Sequence, residues 1–243
     1  MKTIARVLVL LYWSFAYFTF LVSFLYLVGF TANHYTFSSV DSGLQIPPHE
    51  AAATDLGLIA LFGLQHSIMA RRGFKRIWTR VVPWPMERAT FLLATSIVLA
   101  ILFFKWEPIP GLVWSVDNPV GRFLLQALFW AGWGLVGIAS FSIGHFDKFG
   151  WSQVRAYLRG EREQTPEFKT PGPYRWLRHP MMLGLLLGFW FTPEMSQGHL
   201  LLAVGITVYI LIGVWFEERD LLREHGALYE DYRKRVGMLF PRP

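Results

Sequence analysis

A chain of 243 residues that is 53% hydrophobic and only 16% charged is too apolar for an ordinary water-soluble domain and reads as an all-α bundle in a membrane. Its net charge of +6 is accounted for by membrane topology and lipid headgroups, without nucleic-acid binding. The lack of cysteine excludes disulfides, thiolate metal sites and a covalent cysteine nucleophile.

Six apolar stretches follow one another at 4–30, 55–70, 89–104, 121–143, 180–191 and 199–216. The first is long enough to cross ~30 Å of hydrocarbon at ~1.5 Å per residue. It is too long for the apolar part of a cleavable signal and lacks a small-x-small exit, so it reads as a retained span. The second and fifth are short, which leaves five or six membrane helices. Between the first two lies a polar loop, 31–54, with turns at Asp41-Ser42-Gly43 and Pro47-Pro48.

Basic residues alternate with the spans. Of the 23 lysines and arginines, all but Lys105 and Arg122 fall before the first span, in 71–88, in 148–178 or in the tail. Six spans with both termini in the cytoplasm reproduce this alternation, which suits a bacterial inner membrane. The segment 144–174 is the largest piece outside the bilayer. Within it, 153–159 reads as a short surface helix before Gly160, with a break at Thr165-Pro166. Gly184 and Gly188, and on the fourth span Gly132, Gly134 and Gly137, are spaced for close helix packing. The last apolar helix continues through Glu217 to His225, pauses at Gly226 and resumes through Tyr229 and Tyr232 as an amphipathic helix across the cytoplasmic mouth.

The chemistry concentrates in this last third. Tyr174, Arg175, Arg178 and His179 precede Pro180, which suits the first turn of a helix, where free N–H groups attract an anion. Arg175 and Arg178 are equally suited to reach lipid phosphates. Glu217 and Glu218 leave the membrane on the same side, where the positive-inside rule does not explain acids. A carboxylate there suits the hydroxyls of a ribose, or an internal salt bridge to Arg178 or Arg219. No metal-ligand spacing and no glycine-rich nucleotide loop is present, so no metal is expected and any nucleotide is held by a membrane pocket.

The ordered set Arg178-His179-Pro180-Met181-Met182-Leu183-Gly184, Glu217-Glu218-Arg219-Asp220-Leu221 and Gly226-x-x-Tyr229-x-x-Tyr232 resembles the isoprenylcysteine carboxyl methyltransferase superfamily of membrane enzymes. The resemblance implies S-adenosylmethionine held between the last two membrane helices and the tail. Tyr174, Arg178, His179, Pro180, Leu183 and Gly184 would form one wall, and Glu217 and Glu218 the other, with Arg219 and Tyr232 beside them. Met182 departs from the tyrosine common in that group. In the front half, Gln65-His66-Ser67, Phe74-Lys75-x-x-Trp78, Glu87-Arg88-Ala89-Thr90 and His145-Phe146-Asp147-x-Phe149-Gly150 are similar to the bacterial methanethiol S-methyltransferases and, more distantly, to nurim. This implies methyl transfer to methanethiol, giving dimethyl sulfide and S-adenosylhomocysteine.

Such a reaction needs in-line alignment and a thiolate. His66 and His145 are candidate proton acceptors and Arg88 a candidate thiolate-stabilising cation. Each has a structural alternative: a core histidine, a helix-end cap, and a local pair with Glu87. Trp78, Phe149 and Trp151 are candidate rings to close the pocket. The whole is one membrane domain, with 1–143 shaping the substrate pocket and 144–243 holding the cofactor. Two rivals remain: an NADPH-dependent membrane reductase using Arg155, Arg159 and Arg162 on a 2′-phosphate, and a non-catalytic nurim-like protein.

Overall fold

The computed structural model describes residues 2–34, 36–161 and 168–242. Its helices are α1 (Lys2–Ala32), α2 (Pro48–Ala70), α3 (Arg72–Trp78), α4 (Glu87–Lys105), α5 (Pro119–Ser142), α6 (His145–Lys148), α7 (Trp151–Arg159), α8 (Pro180–Trp190), α9 (Gln197–His225) and α10 (Ala227–Arg235). Two short strands, β1 (Leu112–Ser115) and β2 (Glu194–Ser196), pair antiparallel. Five helices, α1, α2, α4, α5 and α9, are long and apolar enough to cross a membrane.

The sixth apolar segment, α8, has 11 residues, about 16 Å of helix. It nevertheless runs between the two ends of the bundle. It starts where the tail crosses Arg178 and His179, and it leads into β2, which pairs with β1 in the α4–α5 connection. The strand pair is tied by Arg122 to Glu194 at 2.9 Å. Nothing in the apolar pattern announces these strands.

Helix α2 begins at Pro48, seven residues before the apolar stretch suggests. Pro48 occupies the first helical turn, where its missing N–H is harmless, so the Pro47-Pro48 pair starts a helix and does not close a loop. Asp55 is fully buried in α2 and accepts the backbone N–H of Glu107 at 3.0 Å. Helix α3, which carries Arg72, Lys75 and Arg76 of the basic stretch, was not foreseen. The surface helix of the 144–174 segment is α7, whose N-terminus Gly150 has φ 97°. The Thr165-Pro166 break lies outside the described residues.

Two apolar clusters hold the bundle together. One joins α1, α2, α4, α5, α8 and α9 through residues such as Phe30, Leu102, Trp133, Phe189 and Ile206. The other packs Val9, Trp13, Ala16, Ala89, Leu92 and Val154 between α1, α4 and α7. Phe149 and Trp151 belong to this second core. They brace α1, and the reading of these two rings as pocket lids is corrected accordingly.

Helices α5 and α8 meet at their glycines. A Cβ on Gly184 would lie 2.6 Å from the Gly132 carbonyl oxygen, and one on Gly188 would lie 2.7 Å from the Trp133 ring. Gly134 and Gly137 have nothing within 4 Å of such a Cβ, so close packing rests on Gly132 alone on the α5 side. The tail behaves as its sequence suggests. Helix α9 runs unbroken past Glu217 and Glu218, Gly226 turns the chain at φ 53°, and α10 follows with Tyr229 and Tyr232 buried.

Candidate active site

Residues 177–179 are held by the far C-terminus. The Arg178 N–H donates to the Gly237 carbonyl at 2.9 Å and the His179 N–H to the Met238 carbonyl at 3.1 Å. A side chain on Gly237 would overlap the Phe240 carbonyl, so glycine is required for this strap. Tyr232 reinforces it by donating its hydroxyl to the Tyr174 carbonyl at 2.6 Å. Burial, with Glu218 adding and Arg178 opposing, pushes the Tyr232 phenol up to about 12, which keeps it a neutral donor.

This strap delivers Arg178 and His179 to the end of α9. Arg178 Nε donates to Glu218 Oε1 at 2.8 Å, and its Nη1 reaches the carbonyls of Arg233 and Val236, both at 3.0 Å. His179 Nε2 lies 3.2 Å from the same Glu218 oxygen, and Nδ1 lies 3.6 Å from Glu217 Oε2. The exposures separate the two acids: the Glu218 side chain is 14% exposed and Glu217 51%. Glu218 is therefore committed to an internal ion pair, while Glu217 keeps a free oxygen edge.

Arg219 takes no part in this pair and lies over the Trp215 ring at 4.6 Å. Burial raises the Tyr174 phenol, and the nearby charge of Glu217 adds to the shift. Pro180 opens α8, and Leu183 follows one turn later, half-buried. Gly184 is turned toward α5 and not toward the Arg178–Glu218 cluster.

The front-half candidates separate. His145 has both ring nitrogens engaged, with Tyr17 at 2.7 Å and Ser140 at 2.8 Å, and it stacks on Phe141. Burial, then the charge of Lys148, lowers its pKa. A neutral imidazole has one N–H, so one of the two hydroxyls donates to the ring and His145 works as a brace between α1 and α5. His66 is different: it packs against Phe62, Phe91 and Tyr209, and its buried Nδ1 has no hydrogen-bond partner. Arg88 is half exposed, 3.8 Å from Glu87. Glu87 itself is buried between Gln153 and Lys75, fastening α3 and α7 to α4. Trp78 stacks on Phe74, and its buried Nε1 is unpartnered.

One residue that sequence reasoning passed over links the two halves. Lys148, at the end of α6, is reached by water while protein groups surround it on several sides. Its Nζ is 3.2 Å from the sulfur of Met181 on α8. It lies within electrostatic reach of Glu217 on α9, Arg88 on α4 and His66 on α2. Lys148 counts as one more positive-inside residue in a sequence reading. The only local signal was its position between Asp147 and Phe149, inside a stretch already singled out.

Of the cations considered for a 2′-phosphate, Arg155 faces Asp147 at 3.9 Å and Arg162 lies outside the described residues. A cavity of about 230 Å³ lined by Thr31, Phe129, Trp130 and Phe191 opens at the opposite end of the bundle, away from these groups.

The chain is 46% identical to a methanethiol S-methyltransferase of Crocosphaera subtropica over 98% of this chain and 93% of that protein. It is 45% identical to one of Mycobacterium tuberculosis over 98% of both chains. Human nurim is 30% identical over 70% of this chain and 67% of its own length. No family model and no solved structure matches. Near-full-length similarity at this level shows that the chain belongs to the methanethiol S-methyltransferase family.

Proposed function

We propose that this protein methylates methanethiol, taking the methyl group from S-adenosylmethionine and yielding dimethyl sulfide and S-adenosylhomocysteine. The observation that carries the reading is the junction of α8, α9 and α10, where half-exposed Glu217 stands beside the buried Arg178–Glu218–His179 set and the buried Tyr229 hydroxyl has no hydrogen-bond partner. Membership in a family of thiol methyltransferases gives that junction its chemistry.

The residues fit a zwitterionic, ribose-bearing donor. Tyr229 is 1% exposed, and its buried hydroxyl has no hydrogen-bond partner, an arrangement that costs stability unless a ligand completes it. Burial and the charge of Glu218 raise its pKa, so the phenol stays a donor. Glu217 offers acceptors for ribose hydroxyls, and the start of α8 at Pro180 offers free N–H groups to a carboxylate.

S-adenosylmethionine supplies a methyl group already activated on a sulfonium sulfur. The protein's part is then to bind and orient. Glu218 fixes Arg178 and His179, the strap through Gly237 and Met238 fixes the pair against α8, and Glu217 and Tyr174 line the ligand edge. Leu183 and Met182 contribute apolar walls, while Gly184 is left as a packing residue. Apolar surroundings keep out competing water and accept a small apolar thiol. Purified protein supplied with methanethiol and methyl-labelled S-adenosylmethionine should release labelled dimethyl sulfide into the headspace. Absence of label there, with the protein folded, would refute the reading.

We further propose that the basic end of the bundle, with both termini, faces the cytoplasm of a bacterial inner membrane. An impermeant thiol reagent added to intact cells should label a cysteine placed at Ser42 and spare one placed at Arg80. The opposite pattern would invert the topology.

A further inference from the structure

We propose that Lys148 is the catalytic residue that accepts the proton of the thiol substrate. The inference rests on the methyl-transfer reading above and names a group which that reading leaves unassigned. Three observations carry it.

The first is position. Helix α6 holds four residues between Gly144, at φ 86°, and Gly150, at φ 97°, and those glycines turn the chain on either side of it. His145, clamped by Tyr17 and Ser140, fixes the first residue of that turn, so the lysine three positions on has a defined direction. The second is contact. Lys148 Nζ sits 3.2 Å from the Met181 thioether sulfur, so a sulfur atom is already seated on this amine. The third is the charge around it. Among the described residues no carboxylate lies within 4.0 Å of Nζ; Glu217 acts from farther away.

Groups facing the amine come from every neighbouring element: Glu217 from α9, Arg88 from α4, His66 from α2, Met181 from α8 and His145 from α6 itself. Burial lowers the Lys148 pKa, Glu217 opposes that shift and Arg88 adds to it. A bound sulfonium places another positive charge nearby and moves it further the same way. A lowered pKa makes this amine a readier proton acceptor than a solvent-facing lysine.

The step balances. The neutral Lys148 amine takes the proton from the thiol sulfur and becomes an ammonium that pairs with the thiolate. The thiolate sulfur forms a bond to the methyl carbon as the bond from that carbon to the sulfonium breaks. The electron pair of the broken bond stays on the departing sulfur, which becomes a neutral thioether. The ammonium then returns its proton to water. His66 and Arg88 shape the field at the amine, and His145 positions it.

The test compares wild type, Lys148→Ala and Lys148→Arg. Both variants should bind S-adenosylhomocysteine with near wild-type affinity in calorimetry, which shows that the pocket is folded. Both should lose about 100-fold or more in kcat/KM for methanethiol at neutral pH, with the loss shrinking as pH rises and free thiolate accumulates. The arginine is informative because it keeps the charge and cannot give up its proton. Competitive acetylation of the wild type, read by peptide mass spectrometry, should modify Lys148 at a lower pH than the solvent-facing lysines. A Lys148→Arg enzyme near wild-type rate, or a Lys148→Ala enzyme with an unchanged pH profile, would overturn the proposal. If wild type itself binds no S-adenosylhomocysteine, the methyl-transfer reading fails before this one is reached.

Discussion

Glu218→Ala is expected to lower the midpoint of thermal unfolding by roughly 10 °C. Arg178 is 8% exposed at its side chain and has Glu218 as its carboxylate partner at 2.8 Å, and His179, 4% exposed, shares the same oxygen. Removing one partner of a buried pair leaves the other charge without compensation, at a cost of about 3–5 kcal/mol. The loss should be carried into the ligand site as well, because Arg178 also ties the carbonyls of Arg233 and Val236 and so holds α10 against α8. A double change, Arg178→Met with Glu218→Leu, should recover most of the stability, since well-packed apolar groups often replace a buried pair at little cost. Binding of S-adenosylhomocysteine should not recover with it. Differential scanning fluorimetry on the three variants reads the result, and an unchanged midpoint in Glu218→Ala would show that the pair is not structural.

Glu217→Gln should behave in the opposite way. The Glu217 side chain is 51% exposed and 3.6 Å from His179 Nδ1, a contact too long to be a hydrogen bond, so folding leans little on it. A ligand hydroxyl donating to this carboxylate makes a charge-assisted bond worth ~1.5–3 kcal/mol, or roughly ten- to a hundred-fold in affinity. The expected outcome is therefore weaker S-adenosylhomocysteine binding by that factor, with an unfolding midpoint close to wild type. Equal binding by Glu217→Gln and wild type would remove Glu217 from the ligand set. The two adjacent acids thus differ in surroundings: Glu218 is buried in its ion pair and Glu217 is half exposed.

The legible part of this fold was whatever membrane physics writes into a single segment. Long apolar runs gave α1, α4, α5 and α9, the pause at Gly226 gave the α9–α10 break, and the lysine and arginine distribution gave a basic end. Features made by two distant segments were not legible. The β1–β2 pair joins residues about eighty positions apart and has no apolar alternation to reveal it. The strap of Gly237 and Met238 across Arg178 and His179 is backbone hydrogen bonding, which carries no residue signature beyond a glycine. At the site, Arg178, His179, Glu217 and Glu218 were legible as a set because their types conflict with their place at a membrane edge. Their difference in burial was not, since it depends on how the end of α9 meets Arg178 and His179. Lys148 was hidden because a lysine at the basic end of a bundle needs no explanation until its contact with Met181 is seen. His145 had the reverse fate: its type suggests catalysis, and its partners Tyr17 and Ser140 occupy both of its nitrogens.

We place a methyl donor of the S-adenosyl class in the space between α8, α9 and α10. Isothermal titration of the purified protein with S-adenosylhomocysteine, and separately with NADPH, tests it most directly. The account predicts saturable one-site binding of S-adenosylhomocysteine and no heat of binding from NADPH. Saturable NADPH binding with no response to S-adenosylhomocysteine would contradict it.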